Sequence, residues 1–283
     1  MKKLLPITVV VLLLIIGCNG RVRNFGFSEK EMEEPDTIEV EDFEIMEDEE
    51  EIEPQELDES FDDFIYNFAT DEKLQLRRVK FPLSVYNQDE PIKIEEENWI
   101  HDSLFMNDEA YTVMFDDEED IFMESDTSTT SIQFEWLYLH DQKVKKYYFE
   151  RIDGKWMLEA LNIRNLGDED GESKDFIGFY EQFANDSLFQ FSRVTDPLTF
   201  VTVDPDNEFS IIESFIGAEQ WPAFRPSIPT DKLSNISYGQ KMSQSSVKKI
   251  LKVNGVVDGS YYLFYFRKVR GEWKLYKYED TSV

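Results

Sequence analysis

Apolar residues follow two spacings along this chain, and both recur. Phe61, Phe64, Ile65 and Phe68 fall at i, i+3, i+4 and i+7, which is one face of an α-helix. Phe176, Phe179, Tyr180 and Phe183 repeat that spacing. Ser60 and Asp175 stand where a cap or a first-turn acid belongs. Pro82 and Pro197 disfavour helical geometry in the residue before them, so each helical region is expected to run to that point. The second spacing is that of strands. Residues 146–152 are aromatic and apolar, Asp153-Gly154 is a type I′ turn signal, and 156–163 return, which predicts a hairpin. Residues 261–269, Arg270-Gly271 and 273–278 predict another. Further strands are predicted at 111–115, 131–140, 236–242 and 247–253.

The recurrence is a duplication. At a shift of 115, residues 61–83 match 176–198 at ten positions: Phe61/Phe176, Phe64/Phe179, Phe68/Phe183, Ala69/Ala184, Asp71/Asp186, Gln75/Gln190, Arg78/Arg193, Val79/Val194, Pro82/Pro197 and Leu83/Leu198. At a shift of 117, Tyr148-Phe149 pairs with Tyr265-Phe266, and Gly154, Trp156 and Leu158 pair with Gly271, Trp273 and Leu275. A period this long predicts tandem domains rather than a solenoid. The polar run at 167–171 is the expected boundary, giving domains at 58–168 and 172–283.

The first residues read as an export signal. Lys2 and Lys3 precede an apolar run at 4–16, which is shorter than the ~20 residues a membrane-spanning helix needs. Leu14-Ile15-Ile16-Gly17-Cys18 resembles the lipobox of bacterial lipoproteins. The resemblance implies removal of 1–17 and lipidation, including palmitate, of Cys18; an ordinary signal peptide with an incidental Cys is the alternative. Several acyl chains hold a protein on a membrane stably. Asn19 after the Cys favours the outer membrane in the enterobacterial sorting pattern. Residues 18–57 then form an acidic tether. Between 28 and 63 there are 20 Asp or Glu and one Lys, a run that repels itself and buries little. It reads as a spacer; a calcium-binding tail is the sharper alternative, but it lacks the glycine turns such sites use. Ile38, Val40, Phe43 and Ile45 roughly alternate with acids and suggest a short strand docking on the body.

Charge narrows the function. Sixty acidic residues against 29 basic give −31, which argues against a nucleic-acid partner. One Cys excludes an internal disulfide and a multi-Cys zinc site, and two His leave little for a His-based metal site. No G-x-S-x-G, phosphate-cradling Gly-rich loop or H-E-x-x-H occurs. Asp71/Asp186 and Arg78/Arg193 read as helix caps and local pairs, with a catalytic Asp–Arg pair as the alternative; Gln75/Gln190 is the third shared polar pair. His101 and His140 read as surface or turn residues rather than acid–base groups. The acidic runs 116–120 and 167–171 read as solvated loops rather than Ca²⁺ sites. Tyr261 and Tyr265 are candidates for outward aromatics that stack on sugars. Trp221, Phe224 and Arg225, in a run with no evident counterpart in the first repeat, are the candidate binding residues; a loop plugging the base of the second domain is the other reading.

A helical region followed by antiparallel strands is an α+β arrangement. It resembles the nuclear-transport-factor-2-like (NTF2-like) cone, with helices in the concavity of a bent sheet, and Asp153-Gly154-Lys155-Trp156 is similar to that superfamily's closing hairpin. With the lipobox and the spacer, the chain resembles an uncharacterised Bacteroidetes-type lipoprotein family carrying two such cones. The expected function is a non-enzymatic binding or scaffolding module of the cell envelope, without cofactor or metal. Its expected partners are the membrane, through Cys18, and an envelope protein or glycan. Alternatives are an isomerase- or hydrolase-like enzyme using a carboxylate in one cone, and a structural spacer.

Overall fold

The computed structural model describes residues 60–87, 90–125, 128–168, 174–240, 242–243 and 245–282. The expected signal peptide, Cys18 and the tether with its alternating segment at 38–45 lie outside the described residues, as do 169–173 of the expected interdomain run. The first helical region is two helices, α1 (Phe61–Thr70) and α2 (Glu72–Arg77). Ser60 caps α1 by accepting from the Asp63 amide. Asp71 caps α2, its Oδ1 accepting from the amides of Lys73 and Leu74 at 2.9 and 3.0 Å. The pair α3 (Lys174–Asn185) and α4 (Ser187–Ser192) repeats this break, with Asp186 accepting from Leu188 and Phe189. The helices stop at Arg77 and Ser192, short of the prolines that were expected to end them. Pro82 and Pro197 lie inside strands β1 (Val79–Asn87) and β7 (Val194–Asp204), each after a cis peptide. Both strands shift register across the proline, and such an irregularity is where a residue without an N–H fits a ladder.

The remaining strands of the first half are β2 (Glu90–Ile94), β3 (Ala110–Phe115), β4 (Ser131–Tyr138), β5 (Lys143–Ile152) and β6 (Lys155–Asn165). Those of the second are β8 (Asn207–Ile216), β9 (Lys232–Ser237), β10 (Lys248–Gly255), β11 (Tyr261–Val269) and β12 (Glu272–Asp280), with a one-turn helix α5 (Trp221–Phe224) before β9. Both closing hairpins turn through two left-handed residues, Asp153-Gly154 (φ 49° and 81°) and Arg270-Gly271 (φ 53° and 85°), as a type I′ turn requires. The strand expected at 236–242 lies earlier, at Lys232–Ser237. Gly239 has φ 104°, and the Gln240 side chain accepts from the Tyr238 amide and donates to the Ile236 carbonyl, ending the strand there.

Two six-stranded sheets result, in the orders β2-β1-β6-β5-β4-β9 and β8-β7-β12-β11-β10-β3. Each takes five strands from one half of the chain. Its sixth, the third strand in sequence, comes from the other half. β3 pairs with β10, Val113 opposite Lys252, and β9 pairs with β4, Asn235 opposite Glu135. Neither 58–168 nor 172–283 therefore closes its sheet from its own strands. The outer edges of β3 and β9 face one another, and side chains satisfy the backbone groups left there. The Thr112 amide donates to Ser234 Oγ at 2.6 Å, Ser234 Oγ donates to the Thr112 carbonyl at 2.9 Å, and the Met114 amide donates to Asn235 Oδ1 at 2.8 Å. These contacts are buried, so leaving the edge groups unpaired would be costly.

One aromatic cluster is built twice. Phe61 meets Trp156 edge-on at 5.2 Å, and Phe176 meets Trp273 at 5.1 Å. Phe68 stands at 90° to Phe149 at 5.4 Å, and Phe183 at 89° to Phe266 at 5.3 Å. Because the third strands are exchanged, the cores interleave. Val113, Phe115, Ile250 and Leu263, on one face of the second sheet, join the core of α1, whereas Leu137, Leu139 and Val144 of the first half join the core of α3.

Candidate functional site

The shared glutamines organise the mouth of each half. Gln75 is fully buried on α2. Its Nε2 donates to the carbonyls of Phe68 and Asp102 at 2.7 and 2.9 Å, and its Oε1 accepts from Trp99 Nε1 and the Asp102 amide at 3.0 and 2.8 Å. It therefore pins the segment after the 3₁₀ turn Glu96–Asn98 against the helices. In the second half Gln190 Nε2 donates to the Phe183 carbonyl, and Oε1 accepts from Trp221 Nε1 at 3.1 Å and Arg225 Nη1 at 2.6 Å. Trp221 also follows a 3₁₀ turn, Ala218–Gln220. Its counterpart is thus Trp99, which sequence comparison missed because Gln75 to Trp99 spans fewer residues than Gln190 to Trp221. Asp71 and Asp186 serve as caps. Arg193 pairs with Glu272, and Arg78 donates to the Trp156 carbonyl.

Beyond Gln75 a cleft of about 390 Å³ opens, lined by Ile94, Trp99, Ile100, His101, Asp102 and Lys145, among others. Asp102 Oδ2 accepts from Lys145 Nζ at 3.0 Å and from Tyr147 Oη at 2.5 Å, and Oδ1 accepts from the Leu104 amide at 3.0 Å. Burial opposes its charge, but the Lys145 ammonium and the donated bonds outweigh that and hold the carboxyl below the usual aspartate range. Burial and the same carboxylate push the Tyr147 phenol far up, so it stays a donor. The carboxylate is ionised and held by three donors, which makes it a poor general base. His101 differs: its Nε2 is buried without a hydrogen-bond partner. The cleft thus combines an apolar wall, a fixed ion pair and an imidazole whose Nε2 is buried.

Among its described residues the second half lacks this combination. Trp221 is 1% exposed and lies in the core, edge-on to Tyr278 at 5.3 Å. It fills the core of its half rather than offering an exposed aromatic. Phe224 remains on the surface, 42% exposed, against Phe200 at 5.3 Å, and Arg225 is exposed. Tyr265 is also buried, since the outer face of the second sheet covers the first half's core. Tyr261 is half-buried, with the Lys252 ammonium 5.3 Å from its ring. His140 sits on the surface between Glu181 and Asp231, at 2.9 and 3.5 Å. Asp116 is committed to Lys249 and to the Ser243 amide. Among the described residues no group of three or more His, Cys, Asp or Glu is placed to hold a metal ion, and no helix is long and apolar enough to cross a membrane. A second cleft, about 430 Å³, lies near the ends of β3 and β9. Its Lys232 is already paired with Asp108 at 2.9 Å and stands 3.9 Å from the Trp136 ring centroid.

The geometry has relatives. The crystal structure of an NTF2-like protein from Bacteroides fragilis is 50% identical, covering 81% of this chain and 99% of its own, with a TM-score of 0.76. Helices held in curved sheets, as here, are therefore NTF2-like. Among curated proteins none matches. The model of a family described as a domain of unknown function, DUF4348, matches residues 40–280. The chain therefore belongs to the DUF4348 family.

Proposed function

We propose that this protein is a non-enzymatic binding module of the cell envelope, anchored by lipid on Cys18 and holding its ligand in the cleft of the first half. The observation that carries this reading is the state of the cleft's polar groups. Asp102 accepts from Lys145, Tyr147 and the Leu104 amide and its charge is stabilised, so this carboxylate is not poised as a general base. His101 also lines the cleft, with its buried Nε2 unpartnered, so a ligand that reorients the ring can bond to it. Trp99 and Ile100 supply an apolar wall. A wall of that kind with a few placed polar groups suits the face of a sugar ring or a short peptide. The Bacteroides origin of the NTF2-like neighbour fits the lipobox reading of Leu14 to Cys18. On that reading residues 18–57 lift a body made by duplication off the outer membrane.

The test uses the full chain with Cys18→Ser, immobilised and exposed to envelope extract. One envelope glycan or protein should be enriched, and His101→Ala and Ile100→Asp should abolish its retention. Lack of any enrichment, or retention indifferent to both substitutions, contradicts the reading. Acylation of the native chain is read separately, as the mass of its mature N-terminal peptide.

A further inference from the structure

We propose that the cleft of the first half takes an uncharged pyranose ring, with one face of the sugar laid on Trp99. This names the ligand class for the cleft and rests on the reading of that cleft as the binding site. The platform is built before any ligand arrives. Trp99 is only partly buried. Its Nε1 donates to Gln75 Oε1 at 3.0 Å, and Phe81 stands edge-on to its ring at 6.1 Å. An indole held in this way has a fixed orientation, so little side-chain entropy is lost when a ligand lies on it. Ile100, 83% exposed, extends the apolar surface. Short neutral groups stand beside it. The Asn98 side chain, exposed on the rim, offers donors and an acceptor. The Ser103 hydroxyl accepts from Asn107 Nδ2 at 2.7 Å and keeps its own hydrogen to donate. A pyranose presents the matching surface, C–H groups on its face and hydroxyls at its edge.

Charge selects against ionic ligands. Asp102 and Lys145 pair with each other at 3.0 Å, so the two opposite charges in the lining cancel. Glu95, Glu96 and Glu97, directly ahead of Asn98, are exposed acids, and they repel an anion that enters beside them. Lys93 does not offset them at the cleft. It alternates with the cleft-lining Ile94, so it faces the other side of β2, where its Nζ donates to Ser84 Oγ at 2.5 Å. A cation finds no free partner inside, since Asp102, the acid of the lining, already accepts three bonds. A peptide added as a strand is disfavoured too, because β2, outermost in its sheet, carries Pro91 and Lys93. The volume of about 390 Å³ is at the small end of ligand pockets and suits a mono- or disaccharide.

Nuclear magnetic resonance titration of the full Cys18→Ser chain tests this. The reporter is the Trp99 indole N–H, assigned by its loss in Trp99→Phe. The probes are a panel of neutral mono- and disaccharides, the uronic acid matching each sugar that binds, and a pool of uncharged tripeptides. At least one neutral sugar should move the Trp99 signal. Asn98→Ala, at an exposed position, should weaken that sugar about 3- to 10-fold, the loss of one hydrogen bond. At low salt the matching uronic acid should bind about tenfold more weakly, and the gap should narrow near 1 M salt, where screening acts within about 3 Å. A uronic acid that binds as well as its neutral counterpart overturns the proposal, as does a panel in which no neutral sugar moves Trp99. Tripeptides alone moving the signal overturns the sugar and leaves the cleft as the binding site. If, besides, envelope extract yields nothing that His101→Ala releases, the cleft itself fails.

Discussion

Replacing Gln75 by Leu keeps the volume near that of the native side chain and removes every polar atom. Four groups lose a partner: the Phe68 carbonyl, Trp99 Nε1, and the amide and carbonyl of Asp102. The bond to Phe68 is buried, and a buried group left unpaired costs about 1–3 kcal/mol. The other three are part-buried and fall nearer about 0.5–1.5 kcal/mol each. The leucine recovers part of this through apolar burial. A net loss of about 3–5 kcal/mol is expected, a large share of the roughly 5–15 kcal/mol typical of a folded domain. Equilibrium urea unfolding followed by tryptophan fluorescence measures it. With a slope of about 3 kcal/mol per molar, the midpoint should fall by about 1–1.7 M. Gln190→Leu removes three bonds and should cost somewhat less. A loss below about 1 kcal/mol at Gln75 would refute the claim that this amide holds the cleft wall in place.

The duplicated clusters predict matched costs: Phe68→Ala and Phe183→Ala, both fully buried, should each lose about 3–5 kcal/mol in the same titration, and a loss at one site alone would contradict equivalent packing. Asp102, whose folded-state carboxyl is depressed, contributes stability that is present above 3.8, its ordinary value, and fades as pH falls through the folded value. Asp102→Asn should therefore flatten the acid limb of the stability curve, while an unchanged limb would mean that Lys145 and Tyr147 do not stabilise the charge.

Local signals were well written into the chain. The phenylalanines at 61, 64 and 68, the Asp-Gly and Arg-Gly turns and the paired tryptophans each act over a few residues, and each is found where spacing placed it. Proline misled, because its effect on a preceding helix is local, whereas its tolerance in β1 and β7 depends on a register shift set by a neighbouring strand. Strand β8 was not anticipated: Phe209, Ile211 and Phe215 alternate as a strand does, but Ile212 and Ile216 blur the period. The Trp99–Trp221 equivalence was hidden by the unequal spacing after Gln75 and Gln190. Least legible was the exchange of β3 and β9. Each is a short strand of six residues whose own sequence fits either sheet, and the choice depends on contacts more than a hundred residues away, such as Thr112 with Ser234. The cleft shows the same limit, since Asp102, Lys145 and Tyr147 are brought together only by the fold.

The exchange of third strands is the claim on which the architecture rests, and disulfide trapping in the Cys18→Ser chain tests it directly. Thr112 lies opposite Val253 across β3 and β10, so the pair Thr112→Cys with Val253→Cys should cross-link within one chain. If β3 instead closed its own half's sheet, it would lie beside β4 where Asn235 now faces Glu135. Val113→Cys with Glu135→Cys would then link, and the 112–253 pair would stay reduced. The first result is the one expected; the second would contradict the exchange.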